Sequence, residues 1–472
     1  MAITADNAIL AILKVWYKDG VENLLFRNSP VVKEIKKTRV EGKEQRFATV
    51  YSRGGAVAGD ALIAQNKAAQ NVKNAEFVVT PGQLFSLFTY NAKEVQASLS
   101  KRGAYMKVAG NKAFAATEAL RKTLAAAFYG RGFGELAILG TANATVVAAA
   151  TAGSDVDLTL ADDVIMKIDV GSDLVLKTSI ASATEAAVLT VKAIDGNTVT
   201  VTVPTAYAAA AATDVIALRG SMDSNGNPIL PIGIDGWLPI VGARAASSAD
   251  WGTYKATPFF GVNRSVNVEG LMGNFYYDVS ATKKSEEIQK LIQKCRRRGS
   301  QADFIVLNDN DWLDVANEIQ STNTYFTQTT TKDKRMANVG FNKLSAGFST
   351  NFIDVIYDDP YCPKGKFYVL DKDAVELWAY TNAETPVNDG VADNNPGKQN
   401  PEEFNDKGKE NDAYKLIIDD FISTEPGAMT SDGPAVQVTF MLFGSYVVLN
   451  PSNAGVGIFH DATLADLVGY SA

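Results

Sequence analysis

Several segments carry residue types that could do chemistry. Gly130-Arg131-Gly132-Phe133-Gly134 has the glycines of a phosphate cradle. Phosphate loops run strand, glycines, helix, so that helix N-terminal amides face the anion; here the glycines follow a helical pattern. The segment is expected to stop a helix and mark a domain junction. Ser98-Leu99-Ser100-Lys101 and Ser280-Ala281-Thr282-Lys283 match the S-x-x-K spacing of acylating serines. No K-T-G partner accompanies them, and no G-x-S-x-G elbow is present. Asp223-Ser224-Asn225-Gly226-Asn227 has calcium-loop residue types without a Glu at the right distance, so a turn is expected. The Asn- and Asp-rich stretch 386–412 has oxygen ligands for a divalent ion, but an exposed loop is the simpler reading. His460, the one histidine, stands beside Asp461 and reads as a surface or cap residue. A single imidazole excludes every mechanism that needs two. Cys295 and Cys362 are far apart and form no C-x-x-C pair, which argues against thiolate zinc and a disulfide framework. The two thiols fit folding in a reducing cytoplasm. No catalytic set, cofactor site or metal site is expected.

Lys290, Lys294, Arg296, Arg297 and Arg298 crowd one end of a helical pattern. Cations there complement the helix dipole, each worth ~0.3–1 kcal/mol. The alternative is contact with an acidic neighbour or with DNA. The whole chain of 472 residues has 45 basic and 53 acidic side chains and a net charge of −8. A protein that wraps DNA tightly needs the opposite balance. The start, Met1-Ala2-Ile3-Thr4-Ala5-Asp6, lacks the pattern of a signal peptide. The uncharged runs Leu136–Ser154 and Gly433–Phe459 are too polar or too broken to span a bilayer, and the second reads as strands. A soluble protein is expected, with no membrane partner.

The elements that would position these residues follow from periodicity. Asp6 caps a helix through Trp16, with Ile9, Leu10, Leu13 and Trp16 on one face. Residues 33–46 alternate in charge and are either a solvated segment or a partner-binding arm. Gln45–Tyr51 and Ala75–Thr80 read as two strands joined by a long link through Arg53, Gly54 and Gly55. An isolated hairpin is marginal in water, so this arm wants a neighbour to lie on. Residues 92–129 read as helix, with Ala113, Ala116, Leu120, Leu124 and Ala127 in one stripe and Gly130 as the stop. From Gly110 to Tyr129 that rod spans ~30 Å.

Residues 141–222 shift in style. They hold 19 Ala and one aromatic, Tyr207, and carry −5 of the −8 net charge. Alternating runs such as Val199-Thr200-Val201-Thr202-Val203, with Asp195-Gly196 as a turn, predict a small β-barrel or sandwich. It looks inserted, because mixed α and β patterns resume afterwards. Residues 282–298 form the next helix, with Ile288, Leu291, Ile292 and Cys295 facing inward and Gly299 as its stop. Phe304–Leu307 is a strand, Asn308 a helix cap, and Trp312, Leu313, Ala316 and Ile319 one helix face. Ile353–Ile356, Lys366–Leu370, Val436–Phe443 and Tyr446–Leu449 read as further strands.

Taken in order, these segments resemble tailed-bacteriophage major capsid proteins of the Hong Kong 97 fold. The arm with Arg53-Gly54-Gly55-Ala56 is similar to that family's long E-loop hairpin. The helix 110–129 and its glycine-rich end resemble the spine helix and the turn after it. Phe260-Gly261-Val262-Asn263-Arg264-Ser265 is similar to a motif of one capsid subgroup. Asp303-Phe304-Ile305-Val306-Leu307, Trp312-Leu313 and Tyr357-Asp358-Asp359-Pro360-Tyr361-Cys362-Pro363-Lys364-Gly365 resemble its axial domain. The resemblance covers most of the chain except 141–222.

It implies an α+β fold: an N-terminal arm (1–39), an extended hairpin (40–90), and a peripheral domain with the spine helix (91–140 and 223–300). An axial domain (301–440) and closing strands (441–472) follow; the all-β insertion expected at 141–222 is read from its own pattern and is a departure from the family. It further implies a structural subunit that self-assembles as pentamers and hexamers into an icosahedral virion capsid, in the host cytoplasm, around double-stranded DNA bound without sequence specificity. Portal and scaffolding proteins are expected partners, and a decoration or auxiliary capsid protein a further one. The scaffold is expected to be separate, because 1–39 is too short to be one. Arg53, Gly54, Gly55, Lys67, Lys73, Arg296, Arg297 and Arg298 are the candidate inter-subunit contacts. Some relatives crosslink a Lys to an Asn; Lys67 and Lys73 lie on the arm, but no acceptor pairs with either. Two other readings compete: the shell of a cellular nanocompartment loaded with protein, and a surface protein that binds through 141–222. The shortage of aromatics in 141–222 favours a structural role there over glycan binding.

Overall fold

The computed structural model describes residues 31–32, 35–40, 44–52, 58–63, 73–91, 108–244, 249–300, 302–322, 346–348, 351–353, 355–380, 423–429, 435–464 and 467. The helix expected at Asp6–Trp16, the Ser98–Lys101 motif and the stretch 386–412 lie outside these residues. The architecture is α+β. The described residues divide into two units: those within 85–121 and 379–443 form one, and the other described residues form the second.

In the first unit, the strand Ser423–Met429 runs antiparallel to the strand that starts at Ala435, pairing Ser423 with Met441 and Met429 with Val436. Phe443 meets Phe85 edge-on, with ring centroids 5.8 Å apart. Ser86 Oγ donates to the carbonyl of Ala116 at 2.9 Å. The strand from Ala435 continues unbroken to Val448, where the sequence suggests two separate strands. Gly444 and Ser445 are absorbed into it.

The second unit holds two larger sheets. One has five strands, in the order Asn274–Tyr276, Gly455–Ile458, Lys366–Leu370, Phe304–Leu307, Val355–Asp358. It is mixed: Asn274–Tyr276 runs parallel to Gly455–Ile458, and Phe304–Leu307 parallel to Val355–Asp358, with antiparallel pairs between. Every residue of Phe304–Leu307 and Lys366–Leu370 is buried, as central strands require. The helices Lys284–Arg296 and Asp309–Thr322 pack on this sheet. Ile288, Leu291, Ile292 and Cys295 from one and Val315 and Ala316 from the other meet Ile305, Phe367, Val369 and Phe459. The helical spacing read from the sequence therefore marks this packed face. Asn308 caps the second helix as expected, its Oδ1 accepting from the Asn310 amide at 3.0 Å. The sheet draws strands from three segments that sequence style separates: before residue 301, after it, and beyond 441.

The other sheet has six antiparallel strands, ordered Glu135–Ile138, Val215–Leu218, Asp173–Lys177, Ala187–Asp195, Thr198–Val203, Ser154–Thr159. Val199, Val201 and Val203 alternate inward as their sequence pattern demands, and are fully buried with Leu158, Leu174 and Leu189. A helix, Gly140–Ala149, covers part of this core with Ala144 and Val147. The sequence reading sees only strands in this window. Alanine is the best helix former, and Ala144 and Val147 sit three apart on one face, so the helix is locally reasonable. Asn143 then binds the edge strand like a strand partner. Its Nδ2 donates to the Thr159 carbonyl, and its Oδ1 accepts from the Thr159 amide, both at 2.9 Å.

The long helix runs Val108–Ala127. Its last carbonyls would be orphans at a bare helix end. The Ile234 amide donates to the carbonyl of Phe128 at 2.7 Å, and the Gly233 amide to that of Gly130 at 3.0 Å. Position 233 must be glycine, because a Cβ there would lie 2.1 Å from the Ala127 carbonyl oxygen.

Candidate subunit-contact surface

The two strands expected for the arm are Gln45–Ser52 and Lys73–Val79, paired antiparallel with Phe47 opposite Phe77 and Thr49 opposite Ala75. Alternation puts Ala75, Phe77 and Val79 inward and Asn74 and Glu76 outward. Phe47 and Phe77 stack at 5.2 Å, and each also meets Trp237, at 5.9 and 5.2 Å. Trp378 closes the cluster, edge-on to Phe47 at 5.6 Å. Such aromatic pairs add ~0.5–1.5 kcal/mol beyond simple burial. Polar contacts fix the same root. Thr49 Oγ1 donates to the Leu449 carbonyl at 3.0 Å, Asn267 Nδ2 to the Tyr51 carbonyl at 2.9 Å, and the Val78 amide to the Phe260 carbonyl at 3.0 Å. The paired strands of the hairpin are thus held to their own subunit from Val78 to Tyr51, which leaves only the link between the strands unanchored by these contacts.

Its far end differs. Leu62 is 68% exposed and Ile63 50%. Burying a Leu or Ile is worth ~1.5–3 kcal/mol, and this end leaves both exposed. Lys73 is exposed on its strand. Arg53, Gly54, Gly55 and Lys67 lie outside the described residues.

The basic helix end lies beside the root. Lys294, Arg297 and Arg298 line one cleft of about 530 Å³ together with Val50, Tyr51 and Asn267. The geometry brings these arginines to the arm, which no sequence spacing indicates. Much of the positive charge is answered within the subunit. Arg298 pairs with Glu269, Lys294 stands 3.7 Å from Glu269, and Lys290 stands 3.8 Å from Asp278. Lys294 Nζ also donates to the Phe275 carbonyl at 2.8 Å. Burial, helped by the charge of Arg244, pushes the Lys294 ammonium below its ordinary value. Arg296 is half-buried, and Arg297 is exposed.

Other polar groups are used to hold shape. The Gly130–Gly134 segment does not offer its amides to an outside anion. The Glu135 carboxylate accepts from the amides of Arg131 and Phe133 and fills that position itself. Asp223 accepts from the amides of Asn225 and Asn227, as the expected turn. His460 is half-buried. Its ring Nδ1 lies 3.0 Å from Oε2 of Glu287, which is fully buried. Lys284 Nζ reaches Asp311, Asp314 and Asp461 within 2.9 Å. Burial pushes the Cys295 thiol up to about 12 and the Cys362 thiol well above its ordinary value, so neither is poised as a nucleophile. Among the described residues no group of three His, Cys, Asp or Glu side chains could hold a metal ion. No helix among them is long and apolar enough to cross a membrane. Sequence reasoning misses the buried Arg131–Tyr254–Arg264 cluster; its only signal is a lone arginine inside each of two glycine-containing motifs.

No protein-family model and no curated protein matches the chain. Solved structures do. The chain is similar to the capsid asymmetric unit of cyanophage A-1(L), with 11% identity, 94% of this chain and 96% of that chain covered, and a TM-score of 0.48. It is similar to the capsid of a native GTA particle, with 7% identity, 97% and 99% covered, and a TM-score of 0.43. It is also similar to an encapsulin complex from Synechococcus elongatus PCC 7942, with 7% identity, 97% and 96% covered, and a TM-score of 0.40.

Proposed function

We propose that this chain is the repeating structural subunit of an icosahedral bacteriophage capsid that encloses double-stranded DNA. One observation carries the reading: a hairpin locked by aromatic rings at its root and apolar at its far end. A solitary soluble subunit gains nothing from such an arm, whereas a shell subunit lays it on its neighbour. The order of capsid-like motifs along the sequence supports the same reading. Copies assemble as pentamers and hexamers in the host cytoplasm and reside in the virion. A separate scaffolding protein, a portal and an auxiliary capsid protein are the partners of assembly. The six-stranded 135–218 region stiffens contacts between copies and is not a glycan-binding head. Arg297 and Arg298 contribute to the contact beside the arm root.

Electron microscopy of particles purified from the native source tests this. Uniform icosahedral particles containing DNA are expected. Shells filled with protein instead of DNA would move the chain to a cellular compartment. Native material that contains only monomers would overturn the shell reading.

A further inference from the structure

Two arginines lie unusually deep. Arg264 is 1% exposed and Arg131 7%. Arg131 comes from the glycine-rich segment after the long helix, and Arg264 from the segment after Gly261. Their guanidinium carbons each lie 5.7 Å from the centroid of the Tyr254 ring. Arg264 also sits 4.1 Å from the Phe259 ring. Aromatic faces attract cations, but they leave N–H donors unmatched. Nη1 of Arg264 donates to the Gly236 carbonyl at 2.9 Å. Its Nε has no partner, and neither do Nε and Nη2 of Arg131.

Arg244, close by, shows what this fold does with an arginine that only holds structure. All three of its nitrogens donate to carbonyls, those of Pro239, Gly273 and Met272. Arg131 and Arg264 share the Tyr254 hydroxyl as a partner but lack such a complete set. The carboxylates near them are engaged elsewhere: Glu135 with the loop amides, Asp235 with Lys366 and Tyr368. A buried guanidinium with unmet donors is costly, and arginine does not readily relieve the cost by losing its proton. The two charges are felt locally. Burial pushes the Tyr254 hydroxyl up, yet the guanidiniums of Arg264 and Arg131 outweigh it and hold it below its ordinary value.

Arg131, Arg264 and Tyr254 line one cavity of about 610 Å³, with Thr80, Asn227 and Ser445 also on its wall. We infer that this cavity binds a compact oxyanion, a carboxylate or a phosphate, between Arg131 and Arg264. The anion binds against the guanidinium groups that line the cavity and neutralises the paired cations. It comes either free from solution or as an Asp or Glu side chain of a neighbouring copy. Only the second source rests on the shell reading; the site itself does not.

Calorimetric titration of the unassembled, purified subunit with inorganic phosphate tests the site. One saturable site per chain is expected. Arg131→Gln is expected to weaken binding by at least ~10-fold, the loss of a charged hydrogen bond, and Arg131→Lys by less. Circular dichroism verifies that the variants fold, and Arg264→Gln repeats the test from the other side. The same titration on assembled particles separates the sources. Binding retained there means a free anion. Binding lost only on assembly means that a neighbour's carboxylate has taken the place. If no particles form, the subunit titration alone decides the site. Absence of saturable binding to the wild-type subunit, or binding unchanged in folded Arg131→Gln and Arg264→Gln, would overturn the inference.

Discussion

Lys366 Nζ lies 2.6 Å from Oδ2 of Asp235, and both side chains are buried. Tyr368 Oη donates to the other carboxylate oxygen at 2.6 Å. The pair ties a central strand of the five-stranded sheet to the turn that follows the cap on the long helix. Breaking one side of a buried pair strands a charge and costs ~3–5 kcal/mol. Asp235→Asn should therefore lower stability to urea by about that amount. Adding Lys366→Met should recover part of the loss, because the stranded ammonium is then gone. A double variant no more stable than Asp235→Asn would show that the pair is not the cause.

Glu376 provides the pH prediction. Burial pushes its carboxyl up, but donors from Lys36, Thr38 and Trp378 outweigh burial and hold it below its ordinary value. The unfolded chain then binds the proton more readily than the folded one. The contribution is present above about pH 4.5, the ordinary value of the group, and fades as pH falls through the lower folded value. The protection of the Lys36–Val40 amides, relative to their intrinsic exchange rates, should fall in that acid window and not above it. Glu376→Gln should abolish the acid dependence of this strand, leaving its protection relative to intrinsic exchange unchanged across that window.

Gly457 faces Phe367 across the antiparallel ladder. The ring covers the glycine so closely that a Cβ would lie 2.1 Å from Phe367 Cζ. The same ring stacks on Phe459 at 4.5 Å and is fully buried. Gly457→Ala should cost ~1–3 kcal/mol through overpacking. Phe367→Leu alone should also destabilise, yet the two together should be less damaging than their sum. Strict additivity in urea unfolding would rule out this contact as the source.

The arm separates folding from assembly. Deleting 54–74 removes the far end, with Leu62 and Ile63, and leaves the Phe47–Phe77–Trp237 root in place. The subunit should keep its circular dichroism and fail to form shells. Normal particles from this deletion would show that the arm does not join copies.

The role of the 135–218 sheet is open to a similar measurement. Removing 141–222 should lower the heat stability of particles, because the region is read as bracing contacts between copies. Particles of unchanged heat stability would assign it another role.

Local chemistry in the sequence determined much of this protein. Ile288, Leu291, Ile292 and Cys295 announce their helix, because helical period and burial coincide there. Val199, Val201 and Val203 announce a strand with one buried face for the same reason. Phe47 and Phe77 mark a hairpin but not its anchor. That anchor, Trp237 with Trp378, lies far away in sequence, and no periodicity encodes long-range proximity. The helix Gly140–Ala149 is hidden, because Ala, Thr and Val leave strand and helix nearly equal until Ala144 and Val147 find a core. His460 looks like surface from its neighbours; only folding brings Glu287 beneath it. Arg131 and Arg264 sit in separate motifs 133 residues apart and become one site only when Tyr254 is placed between them. Sequence fixes what each segment prefers over a few turns or strands. Tertiary structure decides which charges share a buried space, because that depends on where distant segments meet.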